Sequence, residues 1–477
     1  MALRRRRNNQ RDKKLRQPIA AAATFSGDGP NMIRCDRKYR FAGPSRAEDL
    51  ARVISLAFAA MCLVLGLCGA ARAQDSQETQ PQAMSVRMAD SAMKRWPNGR
   101  IVPAAAPWVW DHATSVLLQG ITAVWHNTGN SDDFNYIQSA VDPFLSADGS
   151  SIRTYDPLKF SVDDILLGRQ LLLLYATTHD EKYHRAAALI RQQIAFQPRT
   201  PEGGFWHIGR RPQQMSLDNL YMIEPFYAEY ARTFHEPQDF ADITKQFVLT
   251  ETHTRDPKTG LLYPSWDEAL DQPWADKKTG ASPVFWSRAM GWNMMALVET
   301  IPYFKPDDPG RAKLLAILNR LAAALVRYQD PTTGLWYQVT DQPQGKGNYL
   351  EASSSCMFAY SMAKAVRLGY LPARYSEFAA RAYAGVVKNF VKVDGNGAME
   401  FTGVAKGSDL TPDQTRENAY AFYASVPVND DDPRGAGFFM MASVEMETAP
   451  HSTQRAMRAA DPAVGRAERP KPGTPRN

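Results

Sequence analysis

Cysteine is scarce in this chain: 477 residues contain four, at positions 35, 62, 68 and 356. Beyond position 73 only Cys356 remains, so that long stretch can form neither an internal disulfide nor a thiolate metal cage, and burial must stabilise it. Histidine is also sparse, with eight residues and no H-x-x-x-H or H-E-x-x-H spacing among them. Neither a catalytic metal nor a cofactor is therefore expected. The sequence has no G-x-S-x-G elbow, no phosphate-binding loop and no G-x-G-x-x-G turn, which removes the common serine-hydrolase and nucleotide-binding plans. Cys356 lies in a Ser-rich helix start with no candidate base beside it, which argues against a thiol nucleophile. Strand-length alternation does not recur, so a sheet-based fold lacks support.

Positive charge is confined to one end. The net charge is +6, but residues 1–73 hold 15 Lys/Arg against 5 Asp/Glu, leaving 41 basic and 45 acidic residues of the totals of 56 and 50 for the rest. A mildly acidic body gives no footing for a nucleic-acid partner. With 44% apolar and 22% charged residues, the body is too hydrophobic to be disordered.

One long uncharged run exists, Val53–Ala71, preceded by Arg52 and followed by Arg72-Ala73-Gln74. A secretory signal at 53–73 with cleavage after Ala73 is expected, which would make the protein periplasmic or secreted and its mature form membrane-free. An uncleaved anchor is the alternative. Residues 1–52 form a basic extension, for which a start codon set too far upstream is the rival explanation. Residues 74–89 are expected to be a linker and 448–477 a disordered, Pro-bearing tail.

Helical spacing dominates between about 90 and 447, with helices near 110–126, 132–146, 163–178, 182–198, 216–234, 237–250, 286–302, 310–329, 351–368, 373–392, 418–425 and 436–447. They alternate in character. SLDNLYMIEPFYAEYARTF is apolar or aromatic nearly all round, whereas EKYHRAAALIRQQIAF carries a charged face. Helices of the first kind are buried on every side and those of the second face water. The buried type starts near 110, 163, 218, 286, 351 and 418, which predicts an all-α (α/α)6 barrel of six hairpins closed into a ring.

In such a ring, the segments leading into the inner helices line one mouth. Asp163 and Asp218 stand at equivalent inner-helix starts, and two carboxylates facing one cup suit acid/base work on a glycosidic linkage. Helix capping is the plainer role for either one. His207 follows Phe205-Trp206 behind a Gly-Gly turn and is either a sugar contact or a structural imidazole. Arg288, between Trp286 and Trp292, can clamp an anion with its planar fork, or instead form a salt bridge within the rim. The two Trp rings offer flat apolar faces on which a pyranose can stack.

The strings VDDILLGRQLL, GGFWHIGRRPQQMSLDNLYMIEPFYAEY, SWDEALDQPWADKKTGASPVFWSRAMGWNMMALV, GLWYQVTDQPQGKGNYLEASSSCMFAYSMAKAVRLGYL and DDDPRGAGFFMMASVE run in order from about Met84 to Glu447. Together they resemble the unsaturated rhamnogalacturonyl hydrolases of glycoside hydrolase family 105, relatives of the family 88 unsaturated glucuronyl hydrolases. The resemblance implies removal of a terminal 4,5-unsaturated uronic acid from lyase-generated oligosaccharides of pectin-like polysaccharides, by protonation and hydration of the vinyl ether. It assigns the acid/base to Asp218, a supporting carboxylate to Asp163, and the sugar pocket to His207, Trp286, Arg288 and Trp292. One departure is plain: where relatives commonly carry a pocket His before Gly/Ala-Trp-Asp, this chain has Pro264 ahead of Ser265-Trp266-Asp267. A non-catalytic sugar-binding barrel, or another glycosidase or epimerase on the same toroid, are the alternatives.

Overall fold

The computed structural model describes residues 82–407 and 409–460, with side chains to 448; the hydrophobic run at 53–71 lies outside them. Thirteen helices carry the described fold: α1 (Met84–Arg95), α2 (His112–Thr128), α3 (Ser131–Val141), α4 (Gly168–Thr178), α5 (Glu181–Phe196), α6 (Leu217–Thr233), α7 (Asp239–Thr254), α8 (Ser287–Thr300), α9 (Pro309–Leu325), α10 (Ala352–Arg367), α11 (Tyr375–Phe390), α12 (Ala419–Ala424) and α13 (Pro433–Ala460). Six of them form a closed inner ring in which α2 packs on α13, α13 on α10, α10 on α8, α8 on α6, α6 on α4 and α4 on α2. An outer helix backs each one, with α3, α5, α7, α9 and α11 behind the inner helix that precedes it and α1 behind α13. This is the expected (α/α)6 barrel.

Sequence character follows position in the ring. Every residue of α8 is buried, as are nearly all of α6 and α10. Outer α5 buries one face, Tyr183, Ala186, Ala187, Ile190, Gln193 and Ile194, and turns its charges to water. Local signals set the ends. Asp111 caps α2 through the Thr114 amide, Gly129 ends it at φ +72°, and Asp180 and Asp308 cap α5 and α9.

The sixth hairpin differs from the sequence expectation. The apolar, aromatic AYAFYA predicts an inner helix over 418–425, but α12 is only six residues long and Tyr423 packs on Trp286 at the mouth, with ring centroids 5.5 Å apart. The sixth inner helix is α13, and its outer partner is α1, at the other end of the described chain. Helix α1 begins inside the expected linker. Its buried face includes Ser85 and Ser91, and these serines are bonded to later parts of the chain: the Ser85 amide and hydroxyl donate to Glu447, and the Met399 amide donates to Ser91. Helix α13 runs on to Ala460, through the first part of the expected tail.

Three two-stranded pairs decorate the ring: β1 (Gln214–Ser216) with β2 (Ser265–Asp267), β3 (Val391–Val393) with β4 (Met399–Phe401), and β5 (Val404–Ala405) with β6 (Val428–Asn429). The first matters most for the site, since its register, Met215 opposite Trp266, ties the loop before α6 to the loop before α8. Among the described residues no helix is long and apolar enough to cross a membrane.

Candidate active site

At the end of the ring where the inner helices begin, Asp163, His207, Asp218, Trp286, Arg288 and Trp292 all line one cavity of about 300 Å³. All six residues picked from the sequence thus share one site. Asp218 sits in the first turn of α6, as expected. Asp163 lies in a short 3-10 turn, Val162–Asp164, ahead of α4 rather than in the helix itself.

The Asp218 carboxyl is 7% exposed, and its Oδ1 is buried without a hydrogen-bond partner. Burial, then the charge of Asp409, then that of Asp163 outweigh His207 and Arg288 and push its pKa up to about 8. At neutral pH it is therefore mainly a carboxylic acid, a proton donor facing a cavity.

His207 is oriented by a short network. The Asn219 Nδ2 donates to the Phe205 carbonyl (2.9 Å), which fixes the amide so that its Oδ1 accepts from His207 Nδ1 (2.7 Å). Nδ1 therefore carries a hydrogen, and Nε2 faces the carboxylates of Asp163 (3.9 Å) and Asp409 (3.8 Å). Burial alone would lower this imidazole's pKa, but the two carboxylates outweigh it and the net shift is upward. Backbone bonds hold the surrounding loops together: the Val162 amide donates to the His207 carbonyl and the Leu217 amide to Pro264.

Arg288 is buried at 2% exposure, and part of its fork is engaged as the salt-bridge alternative anticipated: Nη2 reaches Glu351 (3.4 Å) and donates to the Ala405 carbonyl. Its Nε has no partner, so one donor of the guanidinium is still uncommitted. Glu351 is itself a hub, accepting from the Ser353, Ser354 and Ala405 amides and so joining the start of α10 to β5. Trp286 stands between Arg288, whose guanidinium carbon is 5.7 Å from the ring centre, and Tyr423. Trp292 packs against Tyr221 and edge-on to Phe438.

Sequence reasoning missed several residues of this cavity: Arg211, Asp409, Thr411, Arg434 and His112. Arg211 and Asp409 are 198 positions apart and pair across the mouth at 3.4 Å, a proximity that no local pattern announces. A contiguous hollow lined by Gln214, Pro264, Ser265, Trp274, Leu410 and Tyr423 extends the site outward, so Pro264 stands beside the cavity. No cluster of three or more His, Cys, Asp or Glu suited to a metal ion occurs among the described residues.

A helical toroid whose cup holds a buried carboxylic acid among indole faces defines a carbohydrate-active enzyme working by acid chemistry. The sequence profile of Glycosyl Hydrolase Family 88 matches residues 84–449, and the chain belongs to that family of glycoside hydrolases. It is similar to a structurally characterised family 105 glycoside hydrolase from C. acetobutylicum, with 39% identity and a TM-score of 0.73 over 77% of this chain and all of that one. It is also 27% identical, over 62% of its length and 81% of the relative's, to the unsaturated rhamnogalacturonyl hydrolase YesR of Bacillus subtilis. The unsaturated glucuronyl hydrolase of Bacillus sp. GL1 shares the fold at 14% identity and a TM-score of 0.55, over 76% of this chain and 95% of that one.

Proposed function

We propose that the enzyme removes a terminal 4,5-unsaturated uronic acid from oligosaccharides left by polysaccharide lyases. The observation that carries this reading is the Asp218 carboxyl, buried in the cup and holding its proton to about pH 8. An enol ether needs a proton before anything else. Asp218 gives its proton to C4, and the positive charge this leaves at C5 is shared with the ring oxygen. Water adds at C5 while the Asp218 carboxylate takes up the proton that the water loses. The resulting hemiketal opens, and the hemiacetal so freed at C1 releases the next sugar. One carboxyl group gives and regains a proton, so the cycle uses no covalent nucleophile. Asp163 would accept from a ring hydroxyl, the indoles of Trp286 and Trp292 would bound the ring, and Arg288 would face the substrate carboxylate.

Similarity to YesR supports a rhamnogalacturonan-type, pectin-like substrate. Unsaturated disaccharides with different reducing-end sugars test this: the double bond's ultraviolet absorbance should fall on mixing, fastest with rhamnose. Asp218→Asn should lose at least about a hundredfold in kcat, within the usual range for removing an acid/base group. A loss below about threefold, under ~1 kcal/mol of barrier, would remove Asp218 from the acid role, and release of product from saturated oligosaccharides would point to an ordinary glycosidase.

Export is part of the same proposal, since lyase products of a cell-wall polymer arise outside the cytoplasm. The signal-like run at 53–73 supports it. N-terminal sequencing of the mature protein should begin at Gln74.

A further inference from the structure

We propose that Asp409 is a third carboxylate of the site, a positioning residue that clasps Arg211 and His207 across the mouth and favours a hydrogen on His207 Nε2. The proposal rests on the hydrolase reading only for its kinetic consequence.

The geometry is specific. Asp409 Oδ2 lies 3.4 Å from Arg211 Nη1 and 3.8 Å from His207 Nε2. Asp163 approaches the same Nε2 at 3.9 Å from the opposite side of the chain order. With Nδ1 already donating to Asn219, a second hydrogen on Nε2 is what two facing carboxylates favour. The loop that carries Asp409 leads into α12 and is anchored after it. Leu410 is buried in the core, and Arg416 donates to the Ala281 carbonyl (2.9 Å) in the fourth repeat. Asp409 itself is 44% exposed on its side chain, so an ion pair there adds little to stability, and its influence is mainly through charge.

The other charged groups facing His207 and Asp218 come from every side of the cup. Asp163 arrives ahead of α4, Arg288 from α8, Arg434 from α13 and His112 from α2. Tyr423 of α12 is a further titratable neighbour. Arg288 and Arg434 are already matched by the buried Glu351 and Asp432. That leaves Asp409 as the carboxylate that balances Arg211 and shares His207 with Asp163. After burial, its charge is also the strongest influence holding the proton on Asp218, and it opposes His207, which favours the carboxylate.

Asp409→Asn in the full chain separates this role from a structural one. The ring protons of His207, followed by NMR without substrate, should titrate with a midpoint lower by about half a pH unit or more. In the same variant the alkaline limb of kcat on an unsaturated disaccharide should move to lower pH, with Asp409→Glu restoring both. An unmoved His207 midpoint, or an unmoved limb in an active variant, overturns the proposal. If the unsubstituted protein turns over no unsaturated uronide, the proposed function fails, while the His207 midpoint still decides the role of Asp409.

Discussion

Among single residues, the proposed reaction depends on a carboxyl group kept from ionising. Asp218 is buried and has two other carboxylates near it, so its pKa rises from 3.8 to about 8. In the proposed reaction the acid form is the working one, so kcat should be level through neutral pH and fall above about pH 8, which a pH profile at saturating substrate will show. Stability carries the same signature. Because the folded state binds this proton more tightly than the unfolded chain, this group's contribution is fully present below about pH 4 and is lost as pH rises through about 8. Asp218→Asn stays neutral throughout and should flatten that part of the dependence in urea midpoints taken across the range. The identities of Asp218 and Asp163 as site residues could be read from their positions at the starts of inner-type helices. A proton on Asp218 follows from the acid role the family resemblance assigns it, but the part played by Asp409, its strongest charged influence, could not be read, because Asp409 lies nearly two hundred residues away.

At the scale of the element, alternation of all-round apolar and one-face-charged helices was enough to predict an inner and an outer ring, and α2 to α11 lie close to the expected spans. Alternation failed where an aromatic cluster served the mouth rather than the core, at α12. It also gave no sign of how closely inner helices approach. Where α2 meets α13, a Cβ added at Gly120 would lie 2.7 Å from the Gly437 Cα, and one at Gly437 would lie 2.3 Å from the Val116 carbonyl oxygen. Neither glycine is at a turn, and the near-absence of side chains lets the two backbones touch. Gly437→Ala should therefore lower stability by about 1–3 kcal/mol, the usual cost of overpacking, as measured by chemical denaturation.

At the scale of the whole molecule, the ring closes between the two ends of the described chain. Helix α1 covers the outer side of α13, with Met88, Ala89 and Ala92 buried and Ser85 bonded to Glu447. Met88→Ala, far from the cup in sequence and chemistry, should cost about 2–5 kcal/mol by leaving a cavity in that closing seam, readable as a lower urea midpoint with kcat unchanged in the protein that remains folded.

The helical periodicity, the two classes of helix and the residue types gathered at the helix starts were legible before folding, because they depend on spacing along the chain. Tertiary structure alone decided which helix completes the sixth hairpin, which carboxyl keeps its proton and what balances Arg211 and His207. Those outcomes depend on burial and on charges that meet only when distant segments of the chain close into the ring.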